Sequence, residues 1–253
     1  MPDTAVKKIH KAQVTRVEKS GRNTYLIEFD WGREIDVKAG QFVSIYCEGL
    51  TLRRPFSVYS QKGSKVSVLF KERGKGTKYI KSLKNGDIID VVGPLGNGFN
   101  IEKGKSLLVG AGIGVAPISF LKNQLKKRGI DSLFICGFLT AEEVPQGLNA
   151  DKVCTDDGTI GEKGSVLNYI GSIIQDYKPE KIYVCGPSIV LKRVSELGMT
   201  FGIYTEVAME KVMACGIGVC RGCVITIKQK GTVKNATVCK DGPVFKGSEI
   251  VWQ

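Results

Sequence analysis

The chain has 253 residues, eight cysteines, one histidine and a formal net charge of +12. That length suffices for one to three domains with real cores, and the lone His10, expected to be exposed near the terminus, excludes histidine triads and histidine-rich metal sites. The basic excess is spread, at seven, two and three charges over 1–102, 103–204 and 205–253, so a solvated basic surface is expected rather than a nucleic-acid site.

The first ten residues hold no apolar signal segment. The longest uncharged run, Ser106–Leu121, is too short and too rich in glycine to cross a bilayer. A reducing, cytoplasmic setting without a membrane span is therefore expected. Cys47, Cys136, Cys154 and Cys185 sit in apolar, strand-like runs without the spacing of a disulfide framework.

Residues 1–102 read as β. Short β-rich runs at Ala12–Lys19, Thr24–Asp30, Phe42–Cys47, Arg54–Ser60, Lys65–Lys71 and Asp87–Val92 are parted by turn signals at Gly21, Gly40, Gly49, Gly63 and Gly86. Six strands at this spacing predict a small antiparallel barrel, with one short helix over Thr77–Leu83. Within it, Arg53-Arg54-Pro55-Phe56-Ser57 sets cations beside a rigid proline, an aromatic ring and a hydroxyl. Arginine can grip a pyrophosphate with two parallel hydrogen bonds, Phe56 can pack on a flat ring, and Ser57 can bond a ring heteroatom. By itself the motif is weak and reads better as an ordinary strand with edge charges. Gly74-Lys75-Gly76-Thr77 opens a helix, a ready anion site, and Gly93-Pro94-Leu95-Gly96-Asn97-Gly98-Phe99 closes the barrel with a glycine-dense loop.

After Gly104 strands and helices alternate. Strands are expected at Ser106–Gly110, Leu133–Gly137, Lys152–Thr155 and Ile182–Cys185, and helices at Val115–Arg128, Val166–Asp176 and Ser188–Leu197. This alternation predicts a parallel α/β sheet over 103–206. Gly110, Gly112 and Gly114 lie between a strand and a helix, with Pro117 in the first turn, and admit a phosphate to the helix N-terminus. The run is not the G-x-G-x-x-G fingerprint, and a plain tight turn stays open as its alternative. Cys185-Gly186-Pro187 ends a later strand at the same sheet edge. Asp156 and Asp157 follow another, where carboxylates can take ribose hydroxyls and repel a 2′-phosphate, or merely shape a turn.

From Val207 the chain runs into C-G-I-G-V-C-R-G-C, with Cys215, Cys220 and Cys223 clustered and Cys239 standing apart. Strand-like pieces follow at Val224–Lys228 and Thr232–Val238. The C-x4-C-x2-C…C spacing is that of plant-type [2Fe–2S] sites. A structural zinc site, the competing reading, more often shows two separated pairs of cysteines.

Taken in order, the R-x-[aromatic]-S run, G-x-G-x-x-P, C-G-P and the cysteine loop resemble the ferredoxin–NAD(P) reductase superfamily. Phthalate-dioxygenase-type reductases share this order but carry a full-length ferredoxin domain, whereas here only 39 residues run from Cys215 to the end. That short module, with R-R-P-F-S, G-P-L-G-N-G-F, T-D-D-G-T-I-G-E-K-G and V-C-K-D-G-P-V-F, closely resembles the electron-transfer subunit of class 1B dihydroorotate dehydrogenase over nearly the whole chain.

The resemblance implies an α+β multidomain protein: an FAD-binding antiparallel β-barrel (1–102), an NAD-binding parallel α/β domain (103–206) and a small C-terminal [2Fe–2S] module (207–253). It implies FAD at Arg54, Pro55, Phe56 and Ser57, at Leu69, Phe70 and Lys71, and at Gly76 and Thr77. Nicotinamide contacts are expected at Gly110, Gly112, Gly114, Cys185, Gly186 and Pro187, and cluster ligation at Cys215, Cys220, Cys223 and Cys239. It further implies that dihydroorotate is oxidised on a separate FMN-containing catalytic subunit, in a heterotetramer, with electrons reaching NAD+. Related reductase subunits of ferredoxin–NADP or hydrogenase systems share every one of these sites. Phe56 stands where the superfamily often has tyrosine, and Lys71 where arginine is common in the family.

Overall fold

The computed structural model describes residues 9–252. Six strands close an antiparallel barrel: β1 (Ile9–Gly21), β2 (Thr24–Asp30), β3 (Phe42–Ile45), β4 (Arg54–Lys62), β5 (Lys65–Lys71) and, after helix α1 (Lys75–Ser82), β6 (Ile88–Leu95). They adjoin in the order β1-β2-β5-β4-β3-β6. Closure removes the exposed edges that a six-stranded sheet would otherwise present. Its interior is filled by Ile27, Phe29, Val43, Ile45, Val58, Val66 and Val68, all fully buried.

Strand β1 begins earlier than the sequence pattern suggests, because Ile9 and His10 pair with Val92 and Val91 of β6. His10 is therefore not exposed as expected. It is half-buried, with its ring 5.6 Å from that of Trp31 in a T-shaped contact.

The second sheet has seven strands in the order β10-β9-β8-β7-β11-β12-β15. In chain order its elements are β7 (Ser106–Ala111), α2 (Val115–Lys127), β8 (Ser132–Phe138), β9 (Lys152–Thr155), β10 (Glu162–Lys163), α3 (Leu167–Tyr177), β11 (Lys181–Cys185), α4 (Ser188–Thr200) and β12 (Tyr204–Ala208). All neighbours are parallel up to β12. The hairpin β13 (Val224–Gln229) and β14 (Thr232–Thr237) follows, and β15 (Val244–Lys246) then pairs antiparallel with β12.

The expected divide between 206 and 207 thus falls inside β12, and the C-terminal module adds a strand to the α/β sheet. The pattern alone gave no strand at Tyr204–Ala208 or Val244–Lys246, since each is short and lies beside the turn-rich cysteine module.

Two cores hold the molecule. Helix α2 lies between barrel and sheet, and its Val115, Ala116, Ile118, Phe120 and Leu121 belong to the same apolar cluster as the barrel interior. The second cluster joins Val166, Ile170, Ile173 and Ile174 to Cys223, Ile225, Ile227 and Cys239, and to Phe42, Val92 and Leu95 on the outer side of the barrel. The C-terminal module therefore shares its core with both neighbours, as a segment too small to build a core alone must. The loop Gly93–Phe99 is part of this docking. Asn97 donates from Nδ2 to Val244 O at 2.8 Å and accepts from Val244 N at 2.9 Å, and Asn97 N donates to Gly242 O at 2.7 Å.

Candidate functional site

The first part of the site lies where β4 meets α1. A Cβ on Gly76 would fall 2.5 Å from Nε of Arg54 and 2.9 Å from its Cγ, so the arginine occupies the space that any larger residue would fill. Arg54 is thereby laid across the opening turn of α1, where amide groups lack helical partners and favour an anion. Thr77 shapes that turn: its Oγ1 accepts from the amides of Arg73 at 2.9 Å and Gly74 at 3.1 Å. Phe56 meets Phe70 with ring centroids 5.6 Å apart, and Tyr25 stacks on Phe70 at 5.9 Å. Lys71 is engaged elsewhere. Its Nζ is 2.8 Å from Glu143 Oε1, and both side chains are largely buried. Arg54, Phe56, Phe70, Gly76 and Thr77 thus form a cation, a helix opening and an aromatic wall, which suits a flavin dinucleotide.

Glu143 lies on the stretch after β8, whose neighbours also clasp the barrel. Arg22 N donates to Glu142 O at 2.6 Å, and Gln146 N to Ser20 O at 2.7 Å. Sequence reasoning missed this clasp because a carboxylate in a polar turn resembles any solvated one.

The second part is a crevice in the α/β sheet. Strand order runs one way from β7 to β8 and the other way to β11, and such a reversal opens a crevice at the C-terminal ends of the strands. Gly110 pairs with Cys185 across β7 and β11, so the turn bearing Gly112 and Gly114 faces Cys185-Gly186-Pro187. A Cβ on Gly114 would lie 2.3 Å from Cys185 O, and one on Gly186 would lie 2.8 Å from the Ala111 Cβ. The two predicted motifs are in backbone contact. Burial pushes the Cys185 thiol up to about 12, with Glu210 adding to the rise and the Gly186 amide opposing it, so it stays protonated at neutral pH. Asp157 shapes its own turn, with Oδ1 accepting from Thr159 N at 3.0 Å and Thr159 Oγ1 at 2.6 Å. The Asp156 side chain is exposed at the same sheet edge.

The third part is the thiol loop. Among the described residues no three His, Cys, Asp or Glu side chains converge on a single metal-ion position. Backbone amides link the four cysteines in two pairs, Cys220 N donating to Cys215 Sγ at 3.4 Å and Cys239 N to Cys223 Sγ at 3.4 Å. Two thiols for each of two irons is what a binuclear cluster needs, whereas a structural zinc needs four on one centre. The amides of Gly218, Cys220, Gly222 and Cys239 point at sulfurs 3.1–3.4 Å away. Gly216 and Gly218 take φ of +69° and +87°, the left-handed region that lets a loop present amides inward. Burial works against a Cys215 thiolate, but the amides of Cys220, Ile217 and Val219 outweigh it and bring the thiol down to about 6. Burial, together with the neighbouring Cys223 thiol, raises Cys239 to about 12. The donor set fits an iron–sulfur cluster.

The comparisons agree with this geometry. Residues 210–251 match the iron–sulfur cluster binding domain of dihydroorotate dehydrogenase B, and residues 11–99 match the oxidoreductase FAD-binding domain. The electron transfer subunit of dihydroorotate dehydrogenase B (NAD(+)) from Caldanaerobacter subterraneus is 36% identical over 249 residues, covering 96% of this chain and 98% of its own. Its counterpart from Clostridium acetobutylicum is 40% identical over 229 residues, covering 86% and 88%. This chain belongs to that family.

Among solved structures, one describing an NADH-dependent reduced ferredoxin-NADP oxidoreductase superposes with a TM-score of 0.84 at 28% identity, covering 100% of this chain and 92% of that one. Phthalate dioxygenase reductase shares the fold, with a TM-score of 0.67 at 17% identity over 92% and 77% of the two chains. Among the described residues no helix is long and apolar enough to cross a membrane.

Proposed function

We propose that this chain is the electron-transfer subunit of an NAD-dependent dihydroorotate dehydrogenase, passing electrons between the FMN of a separate catalytic subunit and NAD+ in pyrimidine biosynthesis. The observation that carries the reading is the packing of three sites on one body. The thiol loop rests on Phe42 and Ser44 of β3 and Leu95 of β6, and the Gly112–Gly114 turn of the crevice lies against β5, the strand that carries Phe70. Bound FAD and a [2Fe–2S] cluster supply the conversion between two-electron hydride and one-electron chemistry.

The residues supply binding and orientation. Arg54 and the α1 opening, with Gly76 and Thr77, hold the FAD pyrophosphate. Phe56 and Phe70, with Pro55, Ser57 and Leu69, hold the ring. Lys71 contributes indirectly, by tying this wall to Glu143. Gly110, Gly112 and Gly114 admit the dinucleotide to the α2 N-terminus, while Cys185, Gly186 and Pro187 form the facing wall. The neutral Cys185 thiol leaves an uncharged surface for a nicotinamide ring. Cys215, Cys220, Cys223 and Cys239 ligate the cluster. Asp156 favours NAD over NADP, since a carboxylate accepts from a ribose hydroxyl and repels a 2′-phosphate.

The catalytic subunit docks over the thiol loop, where Ile217, Val219 and Val212 are exposed at 38%, 76% and 88%. Apolar side chains this open on a cofactor loop mark an interaction surface. The assembly is a cytoplasmic heterotetramer of two chains of each kind.

The test is an assay of the isolated chain for NADH oxidation with artificial acceptors and for dihydroorotate oxidation. The first activity alone is expected, with the second requiring the catalytic subunit. Dihydroorotate turnover by this chain by itself refutes the division of labour. A second reading, a subunit of a ferredoxin–NADP or hydrogenase system, draws on the superposition at a TM-score of 0.84. It is favoured if the chain neither binds nor reduces an orotate-forming subunit.

A further inference from the structure

We propose that Ser44, a residue of the flavin barrel, sets the potential of the iron–sulfur cluster by donating a hydrogen bond to a cluster sulfur. The proposal deepens the reading above and rests on its assignment of the four cysteines.

Strand β3 reads Phe42-Val43-Ser44-Ile45, and all four residues are buried. Side chains alternate along a strand. Val43 and Ile45 belong to the barrel's inner cluster, while Phe42 belongs to the cluster that contains Cys223 and Cys239. Ser44 shares the face of Phe42. The thiol loop lies against this face: a Cβ on Gly216 would stand 3.7 Å from Ser44 Oγ and 4.0 Å from both Leu95 Cδ1 and Phe42 Cε2. Gly216 follows the first cysteine of the loop directly.

The wall offered to the loop is thus apolar, from Phe42, Leu95 and Val92, except for one hydroxyl. Ser44 is 4% exposed, and its Oγ is the polar atom that stands nearest the loop at Gly216. A serine hydroxyl can donate one hydrogen bond, and the electron-rich sulfur of a thiolate-ligated cluster is an acceptor of the right kind. Donors to cluster sulfur favour the reduced, more negative form and raise the potential.

The same strand touches the flavin run on its other edge. Phe42, Val43 and Ser44 pair with Ser57, Phe56 and Pro55 of β4. One hydrogen-bonded ladder, about 4.8 Å between strands, separates the strand that meets the thiol loop from the residues proposed to hold the flavin. Ser44 is therefore a positioning residue at the junction of the two redox sites, supplied by the barrel and invisible to any motif centred on the cysteines.

The experiment is a redox titration of the anaerobically purified holoprotein, followed by electron paramagnetic resonance, for wild type, Ser44→Ala and Ser44→Thr. The alanine variant is expected to keep its iron content but show a lower cluster potential and an altered resonance line shape. Threonine, which keeps the hydroxyl, is expected to restore both. An unchanged cluster potential in Ser44→Ala overturns the proposal, and so does a shift confined to the flavin couple. Loss of the cluster in both variants also overturns it, marking Ser44 as a packing residue. Absence of an iron–sulfur signal in the wild type refutes the cluster assignment itself, which keeps the two failures distinguishable.

Discussion

Replacing Gly76 by alanine tests the phosphate grip without removing a charge. The new methyl would lie 2.5 Å from Arg54 Nε and 2.9 Å from its Cγ, so the side chain must leave the opening of α1. Arg54 is flexible and partly exposed, so it can swing aside without unfolding the barrel. Hydrogen bonds to charged groups contribute about 1.5–3 kcal/mol. At about 1.4 kcal/mol per tenfold, FAD affinity should fall roughly 10- to 140-fold. Arg54→Ala, which deletes the guanidinium, should cost about 2 kcal/mol or more. Helix propensity acts in the opposite sense, since Gly→Ala inside a helix gains about 1 kcal/mol. The expected signature is weaker FAD binding by an apoprotein that melts no earlier than the wild type. Fluorescence titration of flavin-free protein with FAD, paired with thermal melts, measures both. Unchanged FAD affinity would refute the placement of Arg54 at the pyrophosphate, and early melting would mean the substitution had damaged the fold.

Serine at Cys220 should abolish or badly disturb the cluster while serine at Cys136 leaves it intact; iron and sulfide analysis with visible spectra decides, and zinc without iron would sink the assignment. Gly114→Ala puts a methyl 2.3 Å from the carbonyl oxygen of Cys185, an overpacking that costs about 1–3 kcal/mol; NADH binding should weaken in calorimetry with flavin and iron contents retained, and normal binding would place the nucleotide elsewhere. Glu206, buried in β12, has its carboxyl raised by desolvation, against the amide of Asn100, the Tyr204 hydroxyl and Lys181, which lower it. The native state then holds this proton above the ordinary carboxylate value, so stability falls as pH rises toward the raised value. Glu206→Gln should flatten the decline in melting temperature as pH rises above the ordinary carboxylate range, and parallel slopes for variant and wild type would disprove it.

Cysteine spacing, glycine turns and the change of period after Gly104 were enough to read the barrel, the parallel sheet and the thiol loop. Such signals are local, because a cluster loop needs its thiols and glycines within a few residues. What escaped the sequence is the contact between units. Gly93–Phe99 reads as part of a ligand site, yet Asn97 spends its hydrogen bonds on Gly242 and Val244. Lys71 sits in the expected flavin run but is held by Glu143, seventy-two positions along the chain. The strand Val244–Lys246 is three residues long and exists through its pairing with β12.

These contacts share a cause that bears on mechanism. A C-terminal segment from Cys215 onward of only 39 residues cannot enclose a cluster and also bury a core of its own. It borrows Phe42 and Leu95 from the barrel and an edge from the sheet. The borrowing keeps the thiol loop on the strand that pairs with the proposed flavin run, so in the proposed assignment the packing that stabilises the short module also sets the spacing of the redox centres. Phe42→Ala would therefore disturb more than stability. It would loosen the wall on which Gly216 rests, and with it the separation that one-electron transfer requires.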